Sequence, residues 1–381
     1  MNKSLFKIVL TGGPCAGKTT AFSKIEEDLT EKGYQVFVVS ESATELIKGG
    51  IRPFGNNSFD FLEFQNLILQ YQLGKEKIYE NAAMSIPNNK KCVILYDRGV
   101  MDNKAYLDQQ KFIELLNRYQ LNELSLLDNY DMVIHLVTAA DGKEEYYTLS
   151  NNTARSETAE EARMLDKKTI NAWAGHNNLK IIDNSTGFEE KLNKVTDAIS
   201  NLLGHPISIR QQRKYRIDLS NSNLDFLKTN NCSKIKIEQT YLVNMGPYDG
   251  YEERLRKRTY QNKNSYYYTI QKHESDGFSK IVTDRKITEA EYFTRMDMCE
   301  AKNTIKKIRY SFALNKQYFK LDVFDEEELV ILEIEPTIEN QTIHIPDDLY
   351  VIEEVTNDFK YKNYNLADNK QKQKCLVRKS C

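Results

Sequence analysis

Apolar residues recur in two rhythms along the 381-residue chain, and the change of rhythm divides it. Up to about residue 204, short apolar runs at 6–10, 36–39, 92–96, 132–137 and 179–182 alternate with segments whose apolar positions lie three and four apart. The runs are apolar at both parities, as strands covered on two faces are. This part therefore predicts an α/β domain built on a five-stranded parallel sheet. Gly204-His205-Pro206 breaks the last helical segment, and from there the rhythm becomes strict alternation with charge on one parity. Residues 205–368 accordingly predict an antiparallel sheet, one that lines a barrel with charge if it curls on itself. A basic tail, 369–381, closes the chain with Lys370, Lys372, Lys374, Arg378 and Lys379 beside Cys375 and Cys381.

The first apolar run leads into Gly12-Gly13-Pro14-Cys15-Ala16-Gly17-Lys18-Thr19-Thr20, followed by a helical pattern carrying Phe22, Ile25 and Leu29. G-x-x-x-x-G-K-T between a strand and a helix is the phosphate-binding loop. Its glycines let successive backbone N–H groups turn toward phosphate oxygens, and the helix adds the positive end of its dipole. Gly13 to Thr20 are thus the expected nucleotide contacts, with Lys18 reaching the outer phosphates and Thr19 holding Mg²⁺. Ligands of such sheets lie beyond the carboxyl ends of the strands, so the residues after each run matter most. Glu41 follows the second run, where a base toward a phosphate acceptor or a helix-capping carboxylate belongs. Asp97 and Arg98 end the third, Asp97 being the expected second Mg²⁺ carboxylate. Gln65 reads as a core-edge glutamine, Trp173 as a core residue and His176 as a surface one. Arg155 and Arg163 lie in a polar stretch that reads either as a lid over the triphosphate or as a solvated helix. Asn184, after the fifth run, is the expected contact to the base, adenine or guanine.

Charge narrows the partners. Lys and Arg total 53 against 55 Asp and Glu, so no global field draws in nucleic acid and none is expected. The six cysteines show neither paired nor metal-type spacing, which points to a reducing compartment and away from structural zinc. No secretory run opens the chain and no apolar run approaches the roughly 20 residues of a membrane span. A cytoplasmic protein is expected, with peripheral membrane contact through the basic tail.

In the second part, alternation places Lys236, Glu238 and Thr240 together, Arg254, Arg256 and Arg258 together, and Lys307 with Arg309. Asp322, Glu333 and Glu335 supply carboxylates. Cations segregated from carboxylates across neighbouring strands suit a confined site, where cations grip phosphates and carboxylates hold a divalent ion.

These residues carry a resemblance. Glu238, Arg254-Leu255-Arg256, Lys307-Ile308-Arg309-Tyr310, Asp322-Val323-Phe324, Glu333-Ile334-Glu335 and the block from Val355 to Ala367 resemble the CYTH superfamily of triphosphate tunnel enzymes over about residues 233–367. The resemblance implies an eight-stranded antiparallel tunnel for triphosphates or other polyphosphorylated ligands, with Mg²⁺ or Mn²⁺ held by Asp322, Glu333 and Glu335. Its ligand contacts would be Lys236, Glu238, Arg254, Arg256, Lys272, Lys307, Arg309 and Lys360. The chain departs from the family's opening Glu-x-Glu-x-Lys at Lys236 and Thr240, and Gln271 stands where a lysine is usual. Those departures favour binding over hydrolysis, with Lys236 paired to Glu333 or Glu335 in place of a metal.

Taken whole, the chain resembles the TRPL translocation defect family. Leu10-Thr11-Gly12-Gly13-Pro14-Cys15, Asp97-Arg98-Gly99-x-Met101-Asp102, Ala154-Arg155-Ser156-Glu157 and Ile182-Asp183-Asn184-Ser185-Thr186 carry this likeness. It implies GTP binding by the first domain, acidic-phospholipid headgroups as partners of the second, and a part in membrane trafficking. A small-molecule kinase using Glu41, Asp97, Arg98 and Arg155, and a metal-dependent tunnel triphosphatase, remain the alternatives.

Overall fold

The computed structural model describes residues 5–56, 58–87, 90–147, 158–205, 212–229, 232–242, 251–273, 279–299, 302–324, 329–338 and 341–367. Arg155 and the basic tail lie outside the described residues. The chain divides into two compact units whose main segments are Ser4–Ser208 and Ile209–Cys381.

In the first unit, β1 (Leu5–Gly12), α1 (Lys18–Glu31), β2 (Gln35–Val39), α2 (Ser42–Lys48), α3 (Phe61–Met84) and β3 (Cys92–Asp97) come first. A 3₁₀ segment Val100–Tyr106, α4 (Gln109–Arg118), α5 (Glu123–Leu127), β4 (Met132–Leu136), α6 (Ala159–Trp173), β5 (Leu179–Ile182) and α7 (Phe188–Leu202) follow. The five strands pair in parallel in the order β2-β3-β1-β4-β5. Ile8 and Leu10 join Ile25, Leu29, Val195 and Ile199 in one core, while Val9, at the opposite parity, is buried on the other face. Burial at both parities is the apolar run seen in the sequence, and it drives the sheet between two helical layers. Because β1 lies between β3 and β4, the chain leaves it toward both sides, which opens a crevice at its carboxyl end.

The second unit contains β6 (Arg213–Asp218), α8 (Phe226–Thr229), β7 (Ser233–Leu242), β8 (Tyr251–Tyr260), β9 (Lys263–His273) and β10 (Ser279–Ile287). Then come α9 (Glu289–Met298), β11 (Lys302–Leu314), β12 (Gln317–Phe324), β13 (Val330–Ile334) and β14 (Tyr350–Glu354). All pairs are antiparallel, in the order β10-β9-β8-β7-β11-β12-β13-β6-β14. Two-residue turns at Gln261-Asn262 and Asn315-Lys316, all with positive φ, join β8 to β9 and β11 to β12. Such turns match the right-handed twist of the flanking strands. The sheet differs from the expected closed eight-stranded barrel: it has nine strands, and among the described residues no ladder joins β10 to β14. The strands β6 and β14 are short, and β6 carries charge at most positions, so their alternation is faint in sequence. Among the described residues no helix is long and apolar enough to cross a membrane.

Candidate functional site

The phosphate loop fills the crevice at the end of β1. Gly12 has φ 148° and Gly17 φ 87°, a region that favours glycine, while Cys15 adopts φ 54°. A Cβ at Gly12 would collide with the Leu136 carbonyl oxygen of β4, so the loop packs against the neighbouring strand with no room for a side chain. Asp166 of α6 grips the loop from behind. Its Oδ1 accepts from Gly13 N at 2.8 Å and Thr138 N at 3.1 Å, and the His135 Nε2 atom lies 3.1 Å away. Burial disfavours the Asp166 carboxylate, but His135 and the two N–H donors outweigh it and hold its pKa below the ordinary value. Thr138 Oγ1 donates to the Pro14 carbonyl at 2.5 Å, fixing the other side.

Lys18 opens α1 and is buried, with Thr19 and Thr20 exposed beside it. Three of the predicted residues converge on it. Glu41, at the start of α2, accepts from Arg98 Nε at 2.6 Å and from Thr44 Oγ1 at 2.7 Å. Burial opposes its charge, yet Arg98 and Lys18 pull its pKa down to about 2. Arg98, at φ 68°, lies between Glu41 and Asp102, whose Oδ1 is 3.6 Å from Arg98 Nη1. Asp102 in turn accepts from the Thr11 hydroxyl and from Gly99 N. Asp97 is pushed up in pKa, by burial first and against the pull of Lys18. Its buried Oδ1 has no hydrogen-bond partner among the described residues. An orphaned carboxylate oxygen beside a lysine, with an exposed threonine hydroxyl at the helix start, is a donor set that fits a divalent cation.

Other residues of this unit take structural places, Gln65 and Trp173 in the interior as expected. Asn184 donates to the carbonyls of Thr138 and Asp141 and accepts from Lys191 Nζ at 2.7 Å. Both ends of its amide thus tie loops together rather than facing a base. Arg163 lies in α6 and donates to the Ala140 carbonyl at 2.6 Å, so it anchors a helix. Gln65 is buried on α3 with Oε1 unpartnered among the described residues. His176, expected at the surface, is buried and accepts from Asn178 N. Trp173 packs so closely over Gly99 that a Cβ there would lie 2.6 Å from its ring. Asp166 and His135 escaped the sequence reading. The signal was present in α6, where Asp166 interrupts the apolar stripe Ala162, Ile170 and Trp173.

In the second unit, strand register assigns the faces. Arg254, Arg256 and Arg258 pair opposite Tyr241, Gln239 and Ile237. Ile237 and Ile235 pair opposite Lys307 and Arg309, and Arg309 opposite Asp322. Lys320 pairs with Glu333, and Glu333 with Lys214. One face therefore carries Arg254, Arg256, Arg258, Lys307, Arg309, Asp322, Glu333 and Lys214. Several are deeply buried, with Asp322 at 0%, Lys307 at 3% and Arg258 at 3% exposure, which no flat solvated face would do.

The carboxylates on this face are taken by cations. Arg309 donates from Nε and Nη2 to the two oxygens of Asp322, each at 2.6 Å, and its Nη2 reaches Glu333 Oε2 at 2.9 Å. Lys307 Nζ reaches Asp322 Oδ2 at 2.6 Å and Asn363 Oδ1 at 3.2 Å. Lys214 Nζ lies 3.2 Å from Glu333 Oε1. Burial works against the Glu333 charge, but Lys214 and Arg309 hold its pKa well below the usual carboxylate range. The arginine row is less well matched. The Nε atoms of Arg254 and Arg256 are buried without a hydrogen-bond partner among the described residues, and burial pushes the pKa of Arg256 down.

Four of the expected ligand contacts fall elsewhere. Lys236 and Glu238 share a face with Thr240 but turn away from the arginine row. Lys236 is exposed, and Glu238 lies 3.9 Å from Lys257. The expected pairing of Lys236 with Glu333 or Glu335 gives way to Lys214 and Arg309, because β7 presents its odd-numbered residues to this face. Lys272 has the parity of Tyr251, away from Gln271 and Arg254. Lys360, on an exposed 3₁₀ turn, pairs with Asp358 at 3.1 Å. Glu335 lies one residue past the end of β13. The metal set expected of Asp322, Glu333 and Glu335 does not fit this donor chemistry. Among the described residues no group of three or more His, Cys, Asp or Glu side chains is placed to hold a metal ion.

The first unit is thus a phosphate-loop domain, and the AAA domain family matches residues 7–191. The chain is also 32% identical over 123 residues to an inorganic triphosphatase of Acetivibrio thermocellus, a match spanning 32% of this chain and 76% of that protein. The chain belongs to the family of that triphosphatase, with the AAA-type domain as a further part. Among solved structures, an inorganic triphosphatase is 25% identical, with a TM-score of 0.31, covering 42% of this chain and 95% of its own. A protein from Pyrococcus horikoshii is 13% identical, with a TM-score of 0.27, covering 34% of this chain and 79% of its own.

Proposed function

We propose that the protein couples a nucleotide-binding phosphate-loop unit to a polyanion-binding tunnel unit. The observation that carries this reading is the convergence of Lys18, Glu41, Arg98 and Asp97 at the mouth of a loop clamped by Asp166. Gly13 to Gly17 would cradle the phosphates of GTP or ATP, and Lys18 would neutralise their outer charge. Thr19 and Asp97 would hold Mg²⁺, which supplies further neutralisation of the phosphates. Arg98, fixed between Glu41 and Asp102, positions Glu41 beside Lys18. The guanine preference and a place in membrane trafficking rest on the resemblance to the TRPL translocation defect family.

In the second unit, Arg254, Arg256 and Arg258 would grip a polyphosphate or an acidic phospholipid headgroup, the sheet curling around it as a tunnel. The likeness to an inorganic triphosphatase would favour hydrolysis. The ion-paired state of Asp322 and Glu333 favours binding instead. A second reading for the first unit is phosphoryl transfer to a small acceptor, favoured by the unpartnered oxygens of Asp97 and Gln65.

Titration of the full chain and of Lys18→Ala with fluorescent GTP and ATP analogues tests the reading. We expect at least roughly tenfold weaker nucleotide binding by the variant, the loss of one charge-assisted contact to phosphate. Equal affinity would overturn it.

A further inference from the structure

We infer that the charged face of the antiparallel sheet binds its polyanion without a divalent metal, the arginine row on β8 supplying the charge that a metal would otherwise supply. The inference rests on the proposed tunnel reading and specifies its chemistry. A divalent ion bridging protein to phosphate needs carboxylate oxygens that face the ligand and are open to it. On this face Asp322 has neither oxygen open: Oδ1 accepts from Arg309 Nε, and Oδ2 from Lys307 Nζ and Arg309 Nη2. Glu333 is likewise engaged, Oε2 by Arg309 and Gln212, and Oε1 by Lys214. The Arg309 guanidinium sits between the two carboxylates, in the place a bridging cation would take. A divalent ion brought there would displace a two-pronged hydrogen bond and meet Lys307 and Lys214 at close range.

Among the described residues, the carboxylates nearest the arginine row are also engaged or turned away. Glu238 belongs to the other face with Lys257. Glu252 is 3.4 Å from Arg254, and Asp284 accepts from Thr269 Oγ1 beside Arg256. What the face offers instead is donors. The Nε groups of Arg254 and Arg256 are buried with no acceptor among the described residues, although Arg254 Nη1 donates to Glu252 and Gln271, and a buried guanidinium N–H without an acceptor is costly unless an anion completes it. Tyr267, over whose ring the Arg256 guanidinium stacks, holds that fork in place.

The test uses the full chain carrying Lys18→Ala, so that the phosphate loop contributes little. Calorimetric titration with inorganic tripolyphosphate is run in EDTA and again in Mn²⁺, and Mn²⁺ alone is titrated with spin-resonance detection. The expected result is affinity in EDTA within about threefold of that in Mn²⁺, and no Mn²⁺ bound to the protein alone that Glu333→Gln removes. Arg256→Ala should weaken tripolyphosphate about tenfold or more in both buffers, with Arg256→Lys taking its place if melting shows the alanine variant unfolded. Binding that appears only with Mn²⁺, or Mn²⁺ bound in the absence of phosphate and lost in Glu333→Gln, overturns the inference and leaves the tunnel reading standing. Absence of binding in both buffers overturns the tunnel reading itself.

Discussion

Two arginines, Arg98 and Arg309, each lie between two carboxylates contributed by different elements, and in both units the site is organised around that arrangement. A guanidinium presents donors in a rigid fork, so it can serve two acids at once where an ammonium could not. Glu41 makes the consequence measurable. Its pKa in the fold, about 2, lies below the value of 4.5 for a free glutamate side chain, because Arg98 and Lys18 outweigh burial. A depressed acid contributes stability that is complete above about pH 4.5 and lost as pH falls toward about 2. Glu41→Gln should therefore be less stable than the wild type by roughly 3 kcal/mol at pH 7, at about 1.4 kcal/mol per pH unit. The gap should close as pH falls through about 2, below which the wild-type carboxyl is also neutral. Urea unfolding of both proteins across that range checks this, and a gap independent of pH would assign the loss to packing. The Arg98–Glu41 contact was not legible in the sequence, since the residues lie 57 positions apart and only the β2-β3 pairing brings their strand ends together.

At the scale of elements, the phosphate loop was legible because its geometry is written locally. Glycines where φ must be positive, a lysine at the helix start and apolar flanks are all contiguous. Gly12 shows how little latitude remains, since the Leu136 backbone occupies the space a side chain would need. Gly12→Ala should cost roughly 2–4 kcal/mol of unfolding free energy and weaken nucleotide binding in the same preparation. Thermal melts and nucleotide titration read both, and an unchanged melting point would show that β1 and β4 can separate at low cost. The charged face was legible only in part. Alternation within a strand correctly grouped Arg254, Arg256 and Arg258, and Lys307 with Arg309. It could not say which parity of β7 shares their side, because a one-residue change of register exchanges the faces. Hence Lys236 and Glu238 were expected beside the arginines, where Ile237 and Gln239 stand. Lys214 was missed because β6 is short and mostly charged.

For the molecule as a whole, the division into two compact units has a thermodynamic consequence. Each unit encloses its own apolar clusters, one around Ile8, Ile25 and Ile134 and others around Phe312 and Leu321 or around Leu255 and Tyr268. A ligand that binds one folded unit raises the stability of that unit by mass action, about 2.7 kcal/mol at a hundred times its Kd. Scanning calorimetry should show two transitions, with GTP and Mg²⁺ raising one and tripolyphosphate raising the other. A single transition moved equally by both ligands would mean that the units unfold together. By itself the sequence determined the change from a parallel to an antiparallel sheet, the phosphate loop and the charge of individual strands, because each depends on neighbours a few residues away. Only the tertiary structure decided that Asp166 clamps the loop, that Arg98 and Arg309 occupy the gaps between carboxylates, and that β7 turns its carboxylate outward. These depend on register and on approaches between residues far apart in the chain, which local periodicity does not encode.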